Sequence, residues 1–262
     1  MAEAEHWVPG GYSREQLRSA LVHGGAAGMN SHDRPNVLWK IRRMVQGDPD
    51  GQFGLSGLVG SSPQEVLALM AEAGGFDADP GLRHGPVIVD ADRVLDACAA
   101  VGDRLARAAE RGERVLLATG HPTGLPMLYQ ETGRLLEEEG TKLLRPLEGY
   151  TWDRDGRRNQ IRYFHGVAML TDGTSALHTH GPEAMEWMLE EATPELVFAD
   201  HGFAGAAIEA GIDTVSIADV NDPALVVAQS RGRGGPVIVM DDNVQPEDYW
   251  PCFQVFASRF PR

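Results

Sequence analysis

Five short apolar runs in the second half of the chain, VLLAT, SAL, ELVFA, TVSIA and PVIVM, each stop at residues of metal-ligating or acid–base type. The first ends at Gly120-His121, the second at His178-Thr179-His180 and the third at Asp200-His201-Gly202. The fourth runs into Asp219-Val220-Asn221-Asp222 and the fifth into Asp241-Asp242-Asn243. Helical patterning at 92–111, 125–139, 182–191, 203–210 and 222–229 alternates with strands expected at 115–119, 142–146, 167–170, 175–177, 195–199, 214–218 and 236–240. Such alternation predicts an α/β fold, a doubly wound (Rossmann-like), mostly parallel sheet. Ligands bind such sheets in the crevice beyond the carboxyl ends of the strands, so the five polar stops predict one site.

The pattern changes before residue 86. Gly-rich pieces, HGGAAGMN and GQFGLSGLVG, separate helices expected at 13–22 and 62–73. The second opens with Ser62 as a cap, Pro63 in the first turn and Glu65 three residues after the cap. Residues 1–85 therefore form an irregular, partly helical N-terminal lobe, packed on an α/β catalytic domain at 86–262. Asn30, His32 and Asn36 are this lobe's candidates to reach the site. The stretch WDRDGRRNQ, 152–160, reads as a polar excursion.

Asp and Glu total 38 against 23 Lys and Arg, a formal charge of −15. A surface of that sign repels a phosphate backbone or an anionic membrane, so neither nucleic acid nor membrane is expected as a partner. A small phosphorylated metabolite remains compatible, because a divalent cation held by carboxylates inverts the local charge. Cys98 and Cys252 lack metal-ligand spacing. No apolar run has membrane-spanning length and the N-terminus has no secretory pattern, so the expectation is cytoplasmic residence. A homo-oligomer is left open.

The polar stops differ in what they suggest. ATGHPTGL, 118–125, is a glycine-bracketed strand-to-helix turn, and Gly120, His121, Thr123 and Gly124 are candidates to cradle phosphate. The spacing is neither GxGxxG nor a Walker loop. His178 and His180, at i and i+2 in extended chain, point to one side, as a metal or phosphate site needs. Asp200 offers a ligand or a general base beside His201. Asp219 and Asn221 suit Mg²⁺ or Mn²⁺, whereas Asp222 precedes Pro223 and reads as a helix cap. Asp241 and Asp242 are adjacent, so one of them is expected to face the site.

Taken together, ATGHPTGL, HTHGPE, ADHGFAG, ADVNDPAL and DDNV resemble a family of actinobacterial proteins generically described as phosphatases. The resemblance spans roughly 86–250 and, more loosely, the N-terminal lobe; it implies phosphomonoester hydrolysis without assigning residues. A rival resemblance, to haloacid dehalogenase-like phosphatases, rests on VIVDADRV: Asp90 would attack phosphorus, Asp92 act as acid, Thr119 and Lys142 hold phosphate, and Asp241 or Asp242 bind magnesium. That motif departs from the pattern at Arg93-Val94 and leaves His178, Asp200 and Asp219 idle. An HxH metallohydrolase of the polymerase-and-histidinol-phosphatase type normally carries the motif after the first strand, not at 178.

The reading from sequence is thus a metal-dependent phosphatase acting on a small phosphomonoester such as a nucleotide or sugar phosphate. Asp200, His201, His178 and His180 are its catalytic candidates, and Asp200, Asp219, Asn221, Asp241 and Asp242 its candidate ligands for Mg²⁺ or Mn²⁺. The alternatives are the dehalogenase-like reading and a non-catalytic module binding a nucleotide or sugar phosphate.

Overall fold

In a computed structural model describing residues 7–154 and 156–261, the N-terminal segment is built from helices α1 (Arg14–Gly24), α2 (Arg34–Val45), α3 (Pro49–Gln52) and α4 (Pro63–Gly74), with strand β1 (Gly28–Asp33) between the first two. Residues 1–6 of the expected lobe, 155 in the polar stretch, and 262 lie outside the described residues. Ser13 closes a capping box with Gln16 at the start of α1, and Ser62 accepts from the Glu65 N–H at the start of α4, the grammar read from sequence. Strand β2 (Pro86–Val89), at the start of the expected catalytic domain, pairs antiparallel with β1 in a separate two-stranded sheet.

The remaining chain runs α5 (Ala91–Arg111), β3 (Arg114–Ala118), α6 (Pro126–Glu138), β4 (Lys142–Leu143), β5 (Thr151–Arg154), β6 (Arg157–Phe164), β7 (Val167–Thr171), β8 (Ala176–Leu177), α7 (Glu183–Glu191), β9 (Leu196–Asp200), α8 (His201–Glu209), β10 (Thr214–Ala218), α9 (Pro223–Ser230), β11 (Val237–Val239) and α10 (Trp250–Ala257). These strands form one nine-stranded sheet in the order β11-β10-β9-β3-β7-β6-β5, with β4 alongside the start of β3 and β8 alongside β7. Chain progression moves from β9 through β10 to β11 on one side of β3, and from β3 to β4 on the other. Helix α6 packs with α5 and α10, whereas α8 packs with α7 and α9. The order of the parallel strands reverses between β3 and β9.

The sheet is mixed, which bears out the mostly parallel expectation only in part. β11, β10, β9, β3, β4 and β7 pair in parallel, whereas β5, β6 and β8 join antiparallel. The difference is written in the side chains. β9 and β10 are buried at every position, as strands covered on both faces must be. β6 alternates, with Asn159, Ile161 and Tyr163 inward and Arg158, Arg162 and Phe164 outward, the mark of a sheet with one wet face. The stretch read as a polar excursion is this hairpin. No helix among the described residues is long and apolar enough to cross a membrane.

Candidate active site

The reversal between β3 and β9 brings Gly120 against Asp200, whose Oδ1 accepts the Gly120 N–H at 2.7 Å. The next residue, His201, begins α8 with φ at 44°. A histidine in the left-handed region marks a strained turn held by its surroundings. Gly202 has to follow, because a Cβ there would collide with the His180 carbonyl. The turn fixes the imidazole tightly: Nδ1 donates to Asp200 Oδ1 at 2.8 Å, and Nε2 lies 3.3 Å from Asp222 Oδ2 and 3.5 Å from Asp242 Oδ2. Burial opposes charge on His201, but its hydrogen bonds to Asp200 and Asp222 outweigh that and raise its pKa well above the usual value. For Asp200 and Asp222, burial raises the pKa, and the same imidazole more than reverses the effect.

Three groups of ligand atoms converge, each within 4.8 Å: His178, His180 and His201; His201, Asp222 and Asp242; and Asp219, Asp241 and Asp242. Asp219, Asp222, Asp241 and Asp242 are all at most 6% exposed. Asp242 belongs to two groups and links them. Burial, followed by neighbouring carboxylates, holds the Asp219 carboxyl well above its ordinary range. Burial likewise pushes Asp242 up to about 7, with Asp222, Asp200 and Asp241 adding to the effect against His201.

Strand β1 of the two-stranded N-terminal sheet lies against this cluster. Asn30 Nδ2 donates to Asp219 Oδ1 at 2.8 Å, and the Ser31 N–H to Asp241 Oδ2 at 2.5 Å. His32 Nε2 stands 3.6 Å from Asp219 Oδ2. Asn221 Nδ2 donates to Asn36 Oδ1 at 2.8 Å. The three lobe residues singled out in the sequence therefore reach the cluster. Asp50 and Phe53, which the sequence did not reveal, do so as well. His180 Nδ1 is 3.1 Å from Asp50 Oδ1, and the Phe53 ring meets His180 and His201 edge-on at centroid distances of 5.2 and 5.4 Å.

Several expected roles shift. Asp222 makes no capping hydrogen bond; it turns to His201 instead, so the proline that follows misled the reading. Asp241 and Asp242 both enter the cluster, because β11 ends at Val239 and the chain no longer alternates. Asp200 stands behind His201 and belongs to none of the three converging groups. At the expected glycine cradle, two backbone donors are already engaged. The Gly120 N–H is taken by Asp200 and the His121 N–H by Thr119 Oγ1 at 3.0 Å. A Cβ on Gly120 would meet the Thr179 carbonyl, and one on Gly124 would lie 2.6 Å from that of Asp242. These glycines let three loops pack closely; Thr123 is exposed. The His121 side chain does face inward, its ring centroid 5.1 Å from that of His178 and 6.0 Å from that of His201.

His178 stands at the mouth. It is solvent-exposed and makes no hydrogen bond to another described residue. Desolvation, with the neighbouring imidazoles His201, His180 and His121, brings its pKa down to about 4, so it is unprotonated at neutral pH. It borders a cavity of about 440 Å³ lined also by Asp50, Thr179, His180 and Glu183.

The dehalogenase-like motif is not assembled. Asp90 caps α5, accepting the Asp92 N–H at 2.8 Å, and β2 lies outside the nine-stranded sheet. Lys142 pairs with Arg114 at the amino end of β3, away from the crevice, so that reading is set aside.

Comparison with known proteins agrees with the resemblance seen in the motifs. Over 250 residues, 93% of this chain and 94% of its relative, the sequence is 37% identical to Phosphatase SCO2771 of Streptomyces coelicolor. A family described as Phosphatase matches residues 12–260, nearly the whole length, and the chain belongs to that family of phosphatases.

Proposed function

We propose that the chain hydrolyses a phosphomonoester of a small metabolite, such as a nucleotide or sugar phosphate, with one or two divalent cations held by the aspartate cluster. The observation that carries this reading is the imbalance of buried charge. Four aspartates, Asp219, Asp222, Asp241 and Asp242, lie with Asp200 around a single charged imidazole, and Asp219 Oδ2, Asp242 Oδ2 and Asp200 Oδ2 are buried without a hydrogen-bond partner. Unpaired buried carboxylates cost several kcal/mol each, of order 3–5 when a partner is missing. A divalent cation relieves that cost. Asp219, Asp241 and Asp242 offer an all-oxygen set suited to Mg²⁺ or Mn²⁺, and His201, Asp222 and Asp242 a mixed set suited to Mn²⁺ or a later metal. When bound, such an ion would polarise phosphoryl oxygens and acidify a coordinated water.

The residues supply the rest. Hydrolysis joins a water oxygen to phosphorus, breaks the ester P–O bond and delivers a proton to the departing alkoxide. His178, unprotonated and open to the cavity, accepts a proton from water at a ring nitrogen and is placed to return it to the leaving oxygen. His180, braced by Asp50 and Phe53, orients the phosphoryl group beside it. Asp200 holds the His201 ring so that Nε2 faces Asp222 and Asp242. Asn30 and Ser31 hold the Asp219 and Asp241 carboxylates in place.

Phosphate release from a panel of sugar and nucleoside monophosphates, with Mg²⁺, Mn²⁺ or chelator, tests this. The reading requires chelator-sensitive release that Asp219→Asn removes. Release unaffected by chelator and by that substitution would contradict it. The non-catalytic alternative does not survive membership of an enzyme family.

A further inference from the structure

Next to His178 the crevice continues onto the antiparallel part of the sheet. A second cavity, of about 380 Å³, is lined by Trp152, Arg157, Asn159, Leu170 and Leu177, and shares Arg154, His178, Thr179 and Glu183 with the first. Its lining sets Trp152, Leu170, Leu177 and Ala184 beside two arginines.

Those arginines sit oddly for a purely structural role. Arg154 and Arg157 face each other directly across β5 and β6, as do Trp152 and Asn159. Like charges directly opposite one another destabilise a strand pair. Arg154 is held by Glu183 at 2.9 Å. Arg157 is exposed and makes no ion pair with any described residue. In a chain of net charge −15, beside a cluster of buried aspartates, Arg157 adds a positive charge to this rim next to the Arg154–Glu183 ion pair. A guanidinium pair fits a carboxylate or phosphate by forked hydrogen bonds. Trp152 meets Trp187 edge-on at 5.0 Å between centroids and lines the cavity.

We propose that this face of β5 and β6 is a leaving-group subsite: it takes a phosphomonoester whose alcohol portion carries a second anionic group, held by Arg157 and Arg154, with its carbon skeleton against Trp152. The subsite rests on the histidine and aspartate cluster being the hydrolytic centre, since it would place the ester oxygen next to His178. It selects substrates by charge on the departing half and leaves the chemistry to the cluster. The attraction is exposed to solvent, so added salt weakens it.

Matched pairs of sugar and nucleoside monophosphates and bisphosphates test the proposal through the ratio of kcat/KM for bisphosphate over monophosphate. Wild-type protein is expected to favour the bisphosphate of at least one pair tenfold or more at low salt, with a smaller ratio at 0.5 M salt. Arg157→Ala should collapse the ratio at least tenfold, mainly through KM, and Arg157→Lys should restore part of it. Arg158→Ala, on the other face of the same strand, should leave it intact. A wild-type ratio near one in every pair, or an equal ratio in wild type and Arg157→Ala, overturns the subsite. Asp242→Asn separates the two readings: if that variant stays active, the hydrolytic centre lies elsewhere and the subsite falls with it, whereas an inactive Asp242→Asn with an unchanged Arg157→Ala ratio overturns the subsite alone.

Discussion

The two halves of the sheet divide the work. In the parallel half, β3, β9, β10 and β11 are covered on both faces and deliver acidic and imidazole groups into a buried cluster. In the antiparallel half, β5 and β6 keep one face in water and carry arginines and tryptophan on the face that meets the crevice. On the proposed reading, the contrast puts reacting groups on a buried mount and contacts to the variable part of a substrate where the surface is open. A rigid buried mount tolerates costly charge; an exposed hairpin tolerates sequence change.

The largest effect expected from breaking this division is at Asp242, which with His201 is shared by two ligand groups. Asp242→Asn should lower phosphate release about 1,000-fold or more, the scale of losing an electrophilic or acid–base element. Its effect on stability should change sign with metal. In metal-free protein the substitution removes repulsion with Asp219 and Asp241 and raises Tm, whereas with Mn²⁺ it lowers Tm relative to wild type. Calorimetric scans with and without metal check both arms. His178→Ala, at the mouth, should cost about 100-fold in kcat with little change in Tm, and it should flatten the acid limb of the pH–rate profile.

Packing offers the next test. A Cβ on Gly205 would run into the Phe53 carbonyl, a backbone atom that cannot step aside without moving the loop that braces His180. Gly205→Ala should therefore destabilise by about 1–3 kcal/mol, while Arg158→Ala on the wet face of β6 should shift stability by less than about 0.5 kcal/mol. Urea denaturation of the two variants gives the comparison directly.

The last test concerns pH. Asp242 has its folded-state pKa pushed up to about 7 from an ordinary 3.8, so between those values the metal-free folded chain binds more protons at this site than the unfolded one. Its contribution to stability falls as pH rises through that window. The metal-free wild type should lose more Tm between pH 4 and 7 than Asp242→Asn does, and identical slopes would refute the assignment.

Much of the parallel half was legible because strands buried on both faces read as unbroken apolar runs, and each run here stops at a ligand-type residue. His178, His180 and His201 converge as their spacing and strand-end positions imply. Asp222 was misread because an aspartate before proline looks the same in sequence whether it caps a helix or turns back to a histidine. Asp50 and Phe53 lie in DPDGQF, a short turn with no periodicity to expose it, and their approach to His180 depends on long-range packing. The hairpin escaped notice because Arg154, Arg157, Arg158 and Arg162 hid the inward series Asn159, Ile161 and Tyr163. The glycines of ATGHPTGL suggested a phosphate cradle, but a glycine that permits close loop packing has the same sequence signature as one that approaches a ligand.

The central claim is that the buried aspartates exist to hold a cation. Titrating metal-stripped protein with Mn²⁺ and following the free-ion signal by electron paramagnetic resonance tests it most directly. Wild-type chain should remove Mn²⁺ from solution stoichiometrically, and Asp219→Asn and Asp242→Asn should fail to do so. A free Mn²⁺ signal undiminished by folded wild-type protein would contradict the account.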